Sequence, residues 1–277
     1  MSSATGRDAR HGVERELRRR LDYRFEEIVR ESGIDPLVAA ERDYYLEKTK
    51  KGLERLGFTR KQQKAPAMVI PRFSPSGEEI PPQIKPDSPR LVESRGKVRE
   101  VKYDYPPNTP VRLSVHPRTV KILRDIRYPL WITEGDKKGD ALVSHAAAAV
   151  VLQGVDCWDV PQDWEEIKLY RRVVIIALDA DVMINLRVQR ALKALSTFLR
   201  SRGAEVKYLR WPETYRGSKT GVDDYLAAGD GTVQDLYQRP KRRPTKKPYR
   251  WASRWWTSSR SASSGYGADA FPKARSP

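Results

Sequence analysis

The stretch Arg172 to Leu178 (RVVIIAL) narrows the fold more than any other segment. After its leading arginine it is unbroken apolar and rich in β-branched residues, with no alternation of polar and apolar positions. A strand with one wet face alternates; a strand covered on both faces does not, and helices cover both faces of a parallel sheet. The flanking segments repeat this rhythm. Leu130 to Thr133 (LWIT) reads as a short strand, Asp140 to Ala149 as an alanine-rich helix, and Val150 to Leu152 as a strand ending at Gly154. Asp156 to Lys168 reads as a loop with a helical turn, Leu186 to Arg202 as a long amphipathic helix stopped by Gly203, and Ala204 to Trp211 as a strand. A polar loop, Pro212 to Gly221, leads into a helix from Asp223 to Ala228. Strands alternating with helices predict an α/β domain over 127–238, with about four parallel strands flanked by helices.

Upstream, two regions of different character precede it. Residues 1–59 read as helical. The first ten are small, polar and charged, and are expected to be disordered. Val13, Leu17, Leu21, Phe25 and Ile28 then make one apolar stripe. Asp35 is placed to cap a helix with Pro36 at its first position, running to about Arg42, and a further helix from Thr49 to Leu56 stops at Gly57. Residues 60–126 read as a small β-rich module. Ala67 to Phe73 (AMVIPRF) and Glu79 to Lys85 form the arms of a hairpin around Ser74-Pro75-Ser76-Gly77. Lys97 to Tyr105 alternates, with Val98, Val101 and Tyr103 as its inward groups. Val111 to Val115 is a short strand, and Pro117 to Asp125 a short linking helix. Dense proline predicts interrupted edges.

Charge points to a partner. The chain carries a net charge of +17, and +10 of it lies in residues 239–277, where prolines alternate with Lys and Arg before a Ser/Gly-rich end. This tail is expected to be disordered. Lys241, Arg242, Arg243, Lys246, Lys247 and Arg250 stand beside Trp251 and Trp255. Basic groups interleaved with aromatics suit a single-stranded nucleic acid, whose phosphates pair and whose bases stack. The tail can equally be a solvated charge run or a docking peptide. A single cysteine, Cys157, excludes an internal disulfide and a zinc ribbon, and His11, His116 and His145 form no ligand spacing. Neither an apolar run long enough to span a bilayer nor a signal peptide is evident, so a cytoplasmic protein away from the membrane is expected.

The chemistry lies in acids that follow the strands. Glu134 follows the first, Asp179 and Asp181 the apolar run, and Asp223 and Asp224 stand at the head of the last helix. Sites in parallel α/β sheets form beyond the carboxyl ends of the strands. Carboxylates gathered there repel unless a cation lies among them, and hard oxygen donors suit Mg²⁺ or Mn²⁺. Local structure offers another account of each: Asp179 or Asp181 capping the helix near Asn185, Asp223 capping its own helix with Asp224 favouring the helix dipole, and Glu134 pairing with Lys137 or Lys138.

The segments W-I-T-E-G-D-K-K-G-D-A-L, I-I-A-L-D-A-D and G-V-D-D-Y-L-A-A-G, in that order, resemble a Toprim domain. That is the Rossmann-like metal-binding fold shared by bacterial primases, topoisomerases of types IA and II, overcoming-lysogenization-defect-type nucleases and the recombination protein RecR. The nearest likeness is to an uncharacterised, primase-associated Toprim-like family of phage, plasmid and integrated-element replication proteins. That likeness extends to Leu56–Gln63, Ile70-Pro71 and Pro86–Arg90, and so covers about residues 30 to 238. The resemblance implies Glu134 as general acid or base, Asp179 and Asp181 as the Mg²⁺-binding pair, and Asp224 or its neighbour Asp223 as a later metal-site aspartate. It also matches Lys137 and Lys138 to a basic pair that follows the glutamate; in physical terms such lysines either contact phosphate or neutralise the acids. Primase-like nucleotidyl transfer in the replication of a mobile element is therefore expected, on DNA or RNA and with a separate helicase as a further partner. Nucleolytic cleavage and a non-catalytic DNA-binding accessory role are the alternatives. The absence of a zinc ribbon and of a P-loop departs from a complete primase or helicase.

Overall fold

The computed structural model describes residues 2–236 apart from 95, 210, 212, 216, 217 and 230. The basic tail, with Lys241, Arg242, Arg243, Lys246, Lys247, Arg250, Trp251 and Trp255, lies outside the described residues.

The apolar stripe at the N-terminus becomes helix α1, Ser2–Leu21. It begins well before Val13. Arg10 donates to Asp35 at 2.8 Å, which ties the start of the helix to the next one, and no breaker interrupts the first turns. Asp22 takes a positive φ of 54° and ends the α-helix, a conformation that Asp tolerates. One wide π-type turn follows, Glu27–Glu31, and buries both Glu27 and Ile28. Leu17, Leu21, Phe25 and Ile28 enter the core as their spacing predicts. Helix α2, Pro36–Glu41, begins at the expected Asp35 cap, whose carboxylate accepts from Leu37 N. Strand β1, Tyr45–Glu47, and helix α3, Lys50–Arg55, come next.

Strands β2, Ala67–Phe73, and β3, Glu79–Pro86, form the expected hairpin. Strands β4, Arg90–Ser94, and β5, Lys97–Val101, pair only with each other. Because no layer covers that ribbon, Val98 is 65% exposed and Val101 is only partly covered, whereas Tyr103, beyond the end of β5, packs against the core as expected. The strand expected over Val111–Val115 is reduced to β6, Ser114–Val115, followed by the short helix α4, Pro117–Val120.

The α/β half follows the predicted rhythm: β7 (Leu130–Glu134), α5 (Asp136–Ser144), β8 (Ala148–Leu152), α6 (Pro161–Trp164), β9 (Val173–Ile176), α7 (Leu186–Ser201), β10 (Glu205–Tyr208), α8 (Val222–Ala228) and α9 (Val233–Leu236). One boundary moves. The alanines expected to end a helix instead enter β8: α5 stops at Ser144, Ala146 turns through a φ of 61°, and Ala148 pairs with Leu130. Helix propensity yields to packing here. Ala147 and Ala149 lie under the N-terminal helices, while Ala148 faces the opposite layer.

Strands β8, β7, β9 and β10 run parallel in that order. The sheet continues past β8 through antiparallel β6 to β2, which is flanked by β1 and β3, so eight strands share one sheet. The strands of the N-terminal region and of the α/β half are thus hydrogen-bonded into a single layer. Alternation at the centre sorts side chains into two cores. Trp131, Ile175 and Ala177 point to the N-terminal helices, α5 and α8; Leu130, Ile132, Val174 and Ile176 point to α6 and α7. Both faces are covered, as the unbroken apolar run requires. Among the described residues no helix is long and apolar enough to cross a membrane.

A buried ionic cluster joins the two regions. Arg42 contacts Asp140 at 2.5 Å (Nε) and 2.7 Å (Nη2), Tyr44 donates to the same carboxylate at 2.7 Å, and Arg42 and Arg72 flank Asp136 at 3.5 and 3.3 Å. Ser114 Oγ donates to Asp136 at 2.5 Å. Arg42 and Asp140 are wholly shielded from water. Removing one member of such a pair strands the other charge, at a cost of ~3–5 kcal/mol. Arg42→Met is therefore expected to lower the unfolding free energy by about that amount in urea titrations; a loss below ~1 kcal/mol would show that the cluster carries no such weight.

Candidate functional site

The predicted acids converge because two neighbouring parallel strands end beside one another. Glu134 is the last residue of β7, and Asp179 follows β9, which pairs with β7 from Leu130↔Val174 to Ile132↔Ile176. Gly135 turns the chain at a φ of 90° and starts α5 at once, so Lys137 and Lys138 fall in its first turn. Trp211 Nε1 donates to Leu178 O at 2.8 Å and Ala180 N to Thr220 O at 3.1 Å. These bonds tie the end of β9 to the segment that begins α8, bringing Asp223 and Asp224 to the same face.

Lys138 lies at the centre. Its Nζ donates to Asp179 Oδ1 at 2.5 Å. The Lys138 ammonium is held above its ordinary range: burial alone would lower it, and Asp179, Asp223 and Glu134 outweigh that. Each of those three carboxyls is raised, first by burial, with Lys138 opposing. Asp179 and Asp181 raise Glu134 further, and Asp224 adds to the rise at Asp179 and Asp223. Asp223 is 8% exposed, and its Oδ1 has no hydrogen-bond partner among the described residues. Gly221 makes this packing feasible. A Cβ there would come within 2.4 Å of both Asp223 Oδ1 and Lys138 Cε.

The capping accounts fail for the paired aspartates. Asn185, not Asp179 or Asp181, caps α7, accepting from Arg187 N at 3.1 Å and Val188 N at 3.3 Å. Lys137 and Lys138 pair with Glu27 and Asp179, and neither pairs with Glu134. At α8 the expected roles shift: Gly221 is the N-cap, and Asp224 Oδ2 accepts from Gly221 N at 2.8 Å, leaving Asp223 to face Lys138.

Glu27 was not among the expected site residues. Its carboxylate accepts from Lys137 at 3.0 Å and Lys85 at 2.6 Å, and also pairs with Arg24. Tyr103 lies within 5.9 Å of the Lys85 ammonium. Nothing in the sequence marks Glu27: it sits in an apparent helical continuation, and only the π turn directs it inward. His116 is structural: Nδ1 accepts from Arg118 N, so the proton is on Nε2, which donates to Val38 O at 3.0 Å.

The donor chemistry suits a hard divalent cation, since the acidic groups around Lys138 offer only carboxylate oxygens. Among the described residues no three His, Cys, Asp or Glu side chains form a metal cage on their own. Mg²⁺ seldom uses such a cage; it takes one or two carboxylates and completes its shell with water and substrate phosphate.

Comparison with known proteins agrees with this fold. The family described as a domain of unknown function (DUF3854) matches residues 120–232, the stretch that holds every one of these carboxylates except Glu27. No curated protein matches the chain. Among solved structures, the RNA polymerase domain of Mycobacterium tuberculosis primase DnaG is similar with a TM-score of 0.55 and 15% identity, over 85% of this chain and 83% of that one. The same domain in complex with double-stranded DNA gives a TM-score of 0.53 and 16% identity, over 86% of this chain and 81% of that one. The Aquifex aeolicus primase, comprising zinc-binding and RNA polymerase domains, gives 0.52 and 20% identity over 80% of this chain. The present chain spans 57% of the Aquifex chain's length. These likenesses place the fold among primase Toprim-type α/β folds.

Glu27 gives a pH prediction. Burial would raise its carboxyl, but Lys137 and Lys85 overcome this and hold it at about 2, against an ordinary 4.5. A depressed carboxylate stabilises the fold above its unfolded pKa, and that stability is lost as pH falls toward the folded value. The depression corresponds to roughly 3 kcal/mol. Glu27→Gln should thus destabilise the protein at pH 7, and its deficit against wild type should shrink steadily from about pH 5 downward; urea midpoints across that range measure it. A deficit independent of pH would refute the assignment.

Proposed function

We propose that this chain is a primase-like protein that carries out metal-dependent nucleotidyl transfer on nucleic acid, in the replication of a mobile element. The observation that carries the proposal is the juxtaposition of Glu134, Asp179 and Asp223 around Lys138 at the ends of adjacent parallel strands, with Asp181 beside Glu134 and Asp179. The likeness to primase RNA polymerase domains supports the choice of chemistry.

In this reading Asp179 and Asp181 would hold Mg²⁺ or Mn²⁺, with Asp223 in reserve through its unpartnered oxygen and Asp224 engaged as a helix cap. When bound, the cation supplies charge neutralisation for phosphate oxygens. The chain's own groups do the rest. Burial and the neighbouring aspartates lift Glu134 above the ordinary carboxylate range, which suits a residue that takes the proton from an attacking 3′-hydroxyl. The hydroxyl oxygen bonds to the α-phosphorus, pyrophosphate leaves, and the proton goes to the Glu134 carboxylate. Lys137, fixed by Glu27, presents positive charge to phosphate. The partner in this proposal is single-stranded DNA or RNA, with a separate helicase supplying the unwound strand. The α/β region 127–238 bears the site, the regions 1–59 and 60–126 form its supporting wall, and 239–277 adds affinity for the strand.

Two measurements test this. With Mg²⁺ and a single-stranded template, the wild type should extend short primers, and Asp179→Asn combined with Asp181→Asn should reduce the rate by at least ~100-fold while leaving the melting temperature within a few degrees. Cleavage of the template without synthesis would instead make it a nuclease. Full activity in the double variant would end the assignment of these two residues.

The second measurement concerns the tail. If about five of the basic groups in 239–277 meet phosphates, deleting the segment should flatten the slope of log affinity against log salt by about 3.5. The melting temperature should hardly move. An unchanged slope would mean that the tail contacts no nucleic acid.

A further inference from the structure

The two adjacent lysines of α5 are held in different ways. Lys137 is 12% exposed and anchored to Glu27, which Lys85 and Arg24 also grip. Lys138 is 20% exposed and pairs with Asp179, one of the two aspartates placed to bind a cation. Asp223 and Glu134 also face the same ammonium, and Asp223 Oδ1 is left without a hydrogen-bond partner among the described residues. One positive charge thus serves three carboxylates.

We infer that Lys138 is the resident counter-cation of this carboxylate face, and that it gives up Asp179 to an arriving divalent cation and carries its ammonium onto the phosphate that the cation brings. The inference rests on the cation-binding reading proposed above. An ammonium and a divalent ion cannot both sit within ion-pair distance of the Asp179 carboxylate in a partly buried site without strong repulsion. The mobile partner is Lys138, because its ammonium ends a long, flexible stem while the aspartates are short side chains fixed at strand and helix ends. The close approach of Gly221 fits the stem of Lys138 against α8 in the cation-free arrangement, where a Cβ would meet Cε at 2.4 Å. Lys137 does not take part in the exchange, since Glu27 retains it. The lysine pair therefore divides into one fixed and one exchangeable charge. The fold is kept from facing clustered, unneutralised carboxylates before the cation binds.

The experiment uses the full-length chain and Mn²⁺ as the probe. Free Mn²⁺ is followed by electron paramagnetic resonance to obtain affinity, and lysine accessibility is read by reductive methylation and mass spectrometry. In the wild type, saturating Mn²⁺ should raise methylation of Lys138 several-fold and leave Lys137 unchanged. Lys138→Met should bind Mn²⁺ about tenfold tighter than wild type, because no internal cation has to be displaced. If Mn²⁺ binds but Lys138 labelling does not change, the exchange is overturned. Equal or weaker Mn²⁺ binding by a folded Lys138→Met would overturn it as well. Should that variant fail to fold, the labelling of the wild type decides alone. Absence of Mn²⁺ binding in both proteins would instead overturn the reading of the face as a cation site, and this inference with it.

Discussion

The buried ionic cluster around Asp136 and Asp140 is the constraint on which the remainder of the molecule rests. These aspartates stand one turn apart on α5 and so share one side of it. Arg42 comes from the end of α2 and Arg72 from β2, so the cluster joins elements distant in sequence across the central sheet. Burying two arginines and two carboxylates is costly unless each charge has partners, and here each has several. Arg42 also donates to Pro71 O at 3.2 Å and Arg72 to Pro81 O at 3.4 Å, so the pairing extends into the backbone of the hairpin. Such a cluster tolerates only one arrangement of the helices over the sheet. Apolar contacts alone would allow α5 to slide or roll; directional bonds to both its aspartates do not.

That constraint reaches the candidate site through the same helix. With Asp136 and Asp140 fixed toward the N-terminal region, Lys137 and Lys138 are rotated by one and two residue steps toward the strand ends. The orientation of the lysines is thus set from the opposite side of α5. Gly139 makes the close seating possible: a Cβ there would fall 2.4 Å from Val151 Cγ2 on β8. Two groups of buried acids in this strongly basic chain differ in kind. One is the internal cluster, where acids are matched to arginine for structure. The other is the strand-end face, where acids outnumber the single ammonium they share.

The sequence made much of this readable where local chemistry and tertiary need agree. The unbroken apolar run at Val173–Leu178 read correctly as a doubly covered strand, because its short length and β-branched residues favour a strand over a buried helix. The convergence of Glu134 with Asp179 and Asp181 was readable for the same reason: in a parallel sheet, position after a strand is position in space. The misreadings arose where these two disagree. Ala146–Ala149 prefer helix locally, yet small side chains were needed where β8 runs beneath the N-terminal helices. Val98 alternates as an inward residue should, but its ribbon has no second layer to enter. Asp136 and Asp140 were visible as part of a motif, and their partners were not, since no local pattern links α5 to Arg42 or Arg72.

Glu27 marks the deeper limit, and it shows what positions a site of this kind. Its place in the chain is unremarkable, three residues before Arg30 and between Glu26 and Ile28. What brings it to Lys137 is a change in helical pitch: after Asp22 ends α1, a wide π turn rotates Glu27 out of the solvent-facing row and into contact with α5 and β3. Helical irregularities of this type carry a cost in hydrogen-bond geometry and persist where the surrounding contacts compensate. Here the compensation is a carboxylate gripped by Lys137, Lys85 and Arg24. The N-terminal helix therefore does more than cover one face of the sheet. Through one irregular turn it supplies the anion that fixes Lys137, while Lys138 pairs with Asp179 at the strand ends.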